Sequence, residues 1–452
     1  MACTEDELPS LGPCKHLANI PTDSRIIMSH IGITRRNVLT LGGLAALGAW
    51  PAHSQPVDQP GASSVEARRS TFDEVWETVR DRFYDRDLHG LDWPAARRRY
   101  QPLAASADSG EQLAVVINTM LAELRTSHTQ YYTPEDTAYY QLADIFIDAL
   151  RRRGLDRIFP SGEVTYPGIG AFTNEDDRRR TVVTGVVEDT PAHQAGLLIG
   201  DEILAVDGLP FRPVASFRGK VGAPVTLSIR RDPGGPSVAL SVTPAAIHPN
   251  AMFLRGLQAS ARVVAAANGV HVGYVHIWCY AGGAYQRALE DLIADGPLRD
   301  ADALVWDLRD GWGGAKPQYL DLFNPNAPTM QVTDRSGHIR IQDVKWRKPV
   351  VMLVNRGTRS GKEVLAYGFK QYRLGEIIGT QTAGAVLAAS VFLMGNGDLL
   401  LLAVADVTVD GQRLEGVGVT PTIEVPFDPV YAAGRDPQLD RAVQVLSDRI
   451  KG

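Results

Sequence analysis

A multidomain α/β protein is predicted, on three observations. Between residues 65 and 150 the apolar residues recur at the three- and four-residue steps of helices. Between 163 and 246 short β-branched runs are punctuated by glycine and proline, and from 269 onward strand-length apolar runs alternate with helical stretches. The chain has 452 residues, 44% hydrophobic and 22% charged, which is ordinary globular composition. That length allows roughly two to four domains and a sizeable core. A net charge of −6 provides no overall basic field, so neither nucleic acid nor anionic lipid is an expected partner. The arginine clusters at 97–99, 151–153 and 178–180 are short and read as solvated faces.

Residues 1–54 read as a leader. Thr34-Arg35-Arg36-Asn37-Val38-Leu39 precedes an apolar, Gly/Ala-rich stretch, and Ala52-His53-Ser54 offers small residues for cleavage. The paired arginines resemble a twin-arginine export signal, which implies a periplasmic or secreted protein. The apolar stretch is too short for a stable membrane span. Such signals begin near an N-terminus, which makes Met28 a candidate start. Of three cysteines, Cys3 and Cys14 fall in this leader, leaving Cys279 as a strand thiol and no disulfide in the mature chain.

A helical domain is expected over 65–150. Phe72, Val75, Trp76, Val79 and Phe83 mark one helix, and Leu113, Val116, Ile117, Met120, Leu121 and Leu124 another. The second ends in Leu124-Arg125-Thr126-Ser127-His128-Thr129, which places His128 in a loop just past a helix end.

Residues 163–246 form the next domain. Strands are expected at 181–187, 200–208, Val225–Arg230 and Val238–Val242, with a short helix at 191–197 closed by glycine. The phrase PA-x-x-AGL-x-x-GD-x-I-x-x-V-D-G resembles the core of a PDZ domain. The resemblance implies a strand edge and a helix flanking a groove for an extended peptide, with its carboxylate held in the loop of Gly168, Ile169 and Gly170. A closed groove, with the domain acting as a spacer, is the alternative.

An α/β core is expected over 255–450. Strands are read at 270–278, 303–308, Val350–Val354, Glu376–Gly379, 399–404 and 421–425, and helices at 285–294, 362–370 and 440–449. Val350–Val354 stops at the turn residues Asn355-Arg356-Gly357, and a helix follows. Ser360 stands at that corner, where first-turn N–H groups are unpaired and point outward. The same Ser360-Gly361-Lys362-Glu363 also fits a capping box, which only starts a helix.

The glycine-rich loop at 307–314, Asp-Leu-Arg-Asp-Gly-Trp-Gly-Gly, lets backbone approach a ligand closely. It lacks G-x-G-x-x-G and so fails as a dinucleotide fingerprint, and 357–362 is one residue short of a phosphate loop. No H-E-x-x-H or C-x-x-C occurs, so neither a catalytic metal nor a cofactor is expected.

Together the glycine loop, the Asn-x-Gly-Thr-x-Ser-Gly-x-Glu corner, the segment 379–384 (Gly-Thr-Gln-Thr-Ala-Gly) and the late 415–421 (Glu-Gly-Val-Gly-Val-Thr-Pro) resemble the carboxyl-terminal processing peptidases. The resemblance covers nearly everything after the leader and implies a ClpP/crotonase-like α/β protease core. The bacterial branch pairs its serine with a lysine whose position is here Ala385, and Lys362 should point away from Ser360. The chain instead is similar to the tricorn-type branch, which implies Ser360 as nucleophile, His128 as base and Glu415 with Ser127 orienting the imidazole. Histidine titrates near neutrality and suits that proton transfer. The N–H groups of Gly361 and of Gly313 or Gly314 would then stabilise the oxyanion. His53, His193, His248, His271, His276 and His338 read as surface or strand residues.

The implied function is an exported serine endopeptidase whose PDZ domain binds or gates a protein or peptide substrate. Two alternatives stay open: a serine hydrolase acting on an ester or small amide, and an inactive peptide-binding scaffold.

Overall fold

A computed structural model describes residues 64–451 except 267, 327, 343 and 344; the expected leader lies outside the described residues. Three helices, Val65–Arg82, Trp93–Ala105 and Gly110–Ala122, open the described chain. Each starts at a side chain that accepts a first-turn N–H: Ser64 from Ala67 at 3.1 Å, Asp92 from Ala95 at 2.8 Å, Ser109 from Gln112 at 3.1 Å. Trp76 and Trp93 stack with centroids 6.3 Å apart, and each indole N–H donates to the other residue's carbonyl at 3.0 Å.

These helices do not close on themselves. Their apolar faces pack on a three-stranded antiparallel sheet of Gln130–Tyr132, Leu399–Ala405 and Ala388–Leu393, so that Leu400, Leu402 and Ala403 share one cluster with Phe72, Ile117 and Met120. The run 399–404, read from sequence as part of the α/β core, therefore belongs to a separate sheet. A wholly apolar run indicates a strand buried on both faces. Here Leu400 and Leu402 meet the helices while Leu399 and Leu401 join the main core, and that double burial has no parallel pairing behind it.

The main sheet has six strands in the order Ile423–Glu424, Glu376–Gly379, Val350–Val354, Ala303–Asp307, His271–His276 and Arg262–Ala265. All neighbours run parallel except the last pair. Every residue of the two central strands is buried. Trp306, Met352 and Val354 face Leu365 and Phe369 of the helix Gly361–Gln371. On the other face Val305, Val351 and Leu353 meet Ala442 and Leu446 of the helix Pro437–Lys451. The alternation is the two-residue period of a strand. The registers His276 to Asp307, Asp307 to Leu353 and Val354 to Gly379 level the carboxyl ends, so the loops after them gather at one edge of the sheet. Open α/β sheets bind ligands at that edge.

A five-stranded antiparallel sheet, ordered Ala171–Glu175, Thr181–Val186, Glu202–Val206, Val225–Arg230 and Val238–Val242, has its own core around Val183, Phe217, Leu227 and Ile229. The chain enters and leaves it through the paired strands Tyr166–Gly168 and Ala245–Ile247. Its docking onto the main core is aromatic: Phe172 stacks on Trp278 at 5.4 Å and on Phe253 at 6.2 Å. The Trp278 indole N–H donates to Glu188 at 2.8 Å. Gly185 permits the contact, since a Cβ there would lie 2.8 Å from the Trp278 ring.

Candidate active site

The corner after Val350–Val354 is held by side chains that the neighbouring strand loop also uses. Asn355 donates to the Asp310 carboxylate at 3.0 Å, and its own amide oxygen accepts the Asp310 N–H at 3.1 Å. Thr358 donates to the Leu308 carbonyl at 3.0 Å. A Cβ on Gly357 would stand 2.1 Å from Asp310 Oδ1, which requires glycine there. These ties bring the glycine loop against the start of the helix Gly361–Gln371. A Cβ on Gly313 would fall 2.6 Å from the Ser360 Cβ, and one on Gly361 would fall 2.4 Å from the Ala315 nitrogen. Among the described residues the N–H groups of Gly313, Gly314 and Gly361 donate to no backbone acceptor. Two of these donors, on Gly313 and Gly361, lie next to Ser360.

Ser360 itself has φ 58° and ψ −130°. Such a conformation costs a non-glycine residue about 1–3 kcal/mol, and it persists only where its surroundings impose it. Here Ala385 accepts the Ser360 N–H at 2.7 Å and the Glu363 carboxylate accepts it at 3.2 Å. Glu363 does more than cap. Fully buried, it also accepts the Thr382 hydroxyl at 2.5 Å and the N–H groups of Gly384 and Ala385, each at 2.7 Å. Burial pushes its carboxyl above the usual range, and these donors oppose that. Sequence reading took Glu363 only as part of a cap, because its other partners are not local.

Lys362 is also fully buried and donates to the carbonyls of Asp310 at 2.7 Å and Trp278 at 3.3 Å. Burial pulls its ammonium down to about 8. It forms no hydrogen bond with Ser360 among the described residues, as its place on the helix suggests.

The imidazole side is built from distant segments. Ser127 Oγ lies 2.9 Å from His128 Nδ1 and donates to Glu415 Oε2 at 2.9 Å, while the Ser127 N–H donates to Glu415 Oε1 at 3.1 Å. Glu415 also accepts from the N–H groups of Val386 at 2.8 Å and Leu387 at 3.3 Å. The glutamate therefore reaches the imidazole through the Ser127 hydroxyl. His128, half-buried with φ 51°, has its imidazole lowered to about 4 by burial and by the Arg359 guanidinium, with Glu415 opposing. It is a neutral base at pH 7.

The two halves meet on consecutive residues: Ala385 holds the Ser360 N–H through its carbonyl, and Val386 holds Glu415 through its N–H. No hydrogen bond joins Ser360 Oγ to His128 Nε2 among the described residues.

Of the loop of Gly168, Ile169 and Gly170, Gly168 ends the strand Tyr166–Gly168 and Ile169 packs in the core of the five-stranded domain. Its Ile169 carbonyl accepts from Ala192 at 2.8 Å and its Gly170 carbonyl from Val187 at 3.0 Å. The N–H groups of Ile169 and Gly170 have no backbone acceptor among the described residues. Ala171–Glu175 is an edge strand of the sheet. The helical turns described in this domain are Pro191–Gln194 and Ala215–Phe217, so any groove wall they form is short. Among the described residues no cluster of His, Cys, Asp and Glu has metal-ligand geometry, and no helix is long and apolar enough to cross a membrane.

Three family matches lie in series along the chain: the tricorn protease C1 domain over residues 64–122, the PDZ domain over 182–231 and peptidase family S41 over 271–425. A putative tricorn protease homolog 2 of Streptomyces coelicolor is 26% identical over 404 residues, covering 85% of this chain and 32% of that one. The carboxyl-terminal-processing peptidase 2 of Arabidopsis thaliana, a chloroplastic protein, is 25% identical over 391 residues, covering 82% and 71%. This chain thus spans about a third of the tricorn homologues' length. The crystal structure of the tricorn protease shares the fold, at 20% identity and a TM-score of 0.51, over 86% of this chain and 37% of that one.

Proposed function

We propose, from an S41 peptidase core joined in series to a PDZ domain and a tricorn C1 segment, that this chain is a serine endopeptidase working through Ser360, His128, Ser127 and Glu415. The observation that carries the reading is the relay from Glu415 through Ser127 to His128, anchored at Val386 beside the residue that holds Ser360.

His128 Nε2 takes the Ser360 Oγ proton as the hydroxyl attacks the scissile carbonyl, and returns it to the leaving amine. Water then hydrolyses the acyl-enzyme by the same route in reverse. Ser127 steers the imidazole while Glu415 favours its charged form. The N–H of Gly361, with that of Gly313 or Gly314, receives the oxyanion; losing one such donor costs about 3–4 kcal/mol in comparable sites. The unpaired N–H groups at Ile169 and Gly170 and the edge strand Ala171–Glu175 suit capture of a peptide end, so the PDZ domain delivers or gates substrate. The paired arginines near residue 35 direct the protein to the periplasm or outside the cell.

Fluorophosphonate labelling tests the nucleophile and base together. Label is expected on the intact protein and absent from Ser360→Ala and His128→Ala. Equal labelling of all three would remove the reading. A digest of denatured protein set against an ester panel separates peptidase from esterase.

A further inference from the structure

Between the five-stranded domain and the carboxyl ends of the main sheet lies a cavity of about 820 Å³. Its carboxylates are already engaged. Asp436 pairs with Arg309, Glu188 accepts the Trp278 indole, and Asp310 accepts from Asn355. Of its arginines, Arg309 is held by Asp307 and Asp436, and Arg435 donates to the Ala432 carbonyl. Arg356, Arg359 and Arg435 line the same space and pair with no carboxylate among the described residues. Arg359 is the sharpest case. Its Nε is buried without a hydrogen-bond partner, its guanidinium lies 5.7 Å over the Trp312 ring, and the next residue is Ser360. A buried donor left unmade costs about 1–3 kcal/mol. An ordered, unpaired guanidinium beside a nucleophile is complementary to one ligand chemistry above others: a carboxylate, bound through two parallel N–H groups.

We propose that Arg359, with Arg356 and Arg435 lining the same cavity, forms a subsite for a carboxylate of the substrate peptide, within a few residues of the scissile bond. The position relative to the cut rests on the peptidase reading above; the binding itself does not. The carboxylate comes either from a Glu or Asp side chain or from the peptide's own C-terminus.

The test is equilibrium binding of fluorescent peptides to the Ser360→Ala protein. The peptides are matched pairs, Glu against Gln within the sequence and free acid against amide at the C-terminus. One charge-assisted pair corresponds to about tenfold in affinity, so the acidic member of at least one pair is expected to bind about tenfold tighter. Whichever pair shows the difference identifies the source. Adding Arg359→Gln is expected to abolish it, and Arg359→Glu to shift preference toward Lys over Gln, a reversal that misfolding cannot produce. In the enzyme with Ser360 intact, Arg359→Gln should raise KM for the acidic peptide and leave that for its neutral twin. Equal binding of acid and amide, or a preference that survives Arg359→Gln, overturns the subsite. Fluorophosphonate labelling is run in parallel: its failure removes the peptidase reading, while the binding pairs still decide the subsite.

Discussion

Ser127 is the residue through which the glutamate reaches the base. Its hydroxyl is shared between His128 Nδ1 and the Glu415 carboxylate, so truncation disconnects the two without touching the nucleophile. Ser127→Ala is therefore expected to lower kcat by about ten- to a hundredfold, as loss of an orienting group does, with KM little changed. On the proposed reading the imidazole sets the acid limb of activity. Its folded value, about 4, lies below the ordinary 6.5, so the base is neutral above about 4 and protonated below it. The kcat/KM profile should then fall as pH drops through about 4. Because the Arg359 charge is one cause of that depression, Arg359→Gln is expected to move the limb upward; an unmoved limb would place the cause in burial alone. Ser360, His128 and Glu415 stand out in the sequence because each sits in a short phrase, and the structure ties Glu415 to His128 through Ser127. Arg359 does not, since an arginine between Thr358 and Ser360 carries no local sign that its Nε will be buried unpaired.

Among elements, the helix Gly361–Gln371 shows what a pattern conveys and what it hides. Its start was marked by Ser360 and Glu363, yet Glu363 reaches across to Thr382, Gly384 and Ala385 and so shapes the neighbouring loop. Losing a cap costs about 1 kcal/mol, whereas stranding several buried donors costs about 1–3 kcal/mol for each. Glu363→Ala should consequently destabilise by well over the capping value in urea unfolding, and a loss near that of a cap would mean the loop holds itself. Gly313→Ala is expected to disturb the Ser360 corner and to lower stability in urea unfolding, because its Cβ would meet the Ser360 Cβ at 2.6 Å and the Arg359 carbonyl oxygen at 2.7 Å. The helix Pro249–Ser260 went unread although Met252, Phe253 and Leu257 keep a helical period. Pro249, Gly256 and Ser260 occupy the remaining buried positions, and Gly256 is small because Val187 would stand 2.5 Å from a Cβ there. Packing demanded a residue that blurs the signal.

For the whole molecule, the sequence shows three regions in order, and the α/β character of the last is plain from its apolar runs. What it does not show is where those regions interlock. Leu399–Ala405 looks like one more core strand, and only the pairing with Gln130–Tyr132 reveals that it completes the helical layer. A fragment of residues 64–150 is accordingly expected not to fold alone: Leu387, Leu400, Leu402 and Ala403 are missing from its cluster. Circular dichroism of that fragment checks this, and a cooperative thermal transition would count against it. Gly185→Leu should loosen the five-stranded domain from the core by striking the Trp278 ring, read as faster amide exchange around Phe172 and Trp278.

Ser127 and Glu415, joined in the finished protein, are separated by 288 positions. Chains emerge from the ribosome N-terminus first and fold region by region. The histidine leaves well before the strand that seats its layer and the glutamate that Ser127 binds. On the proposed reading, the relay in a growing polypeptide stays open until Glu415 has been made and has folded back onto Ser127.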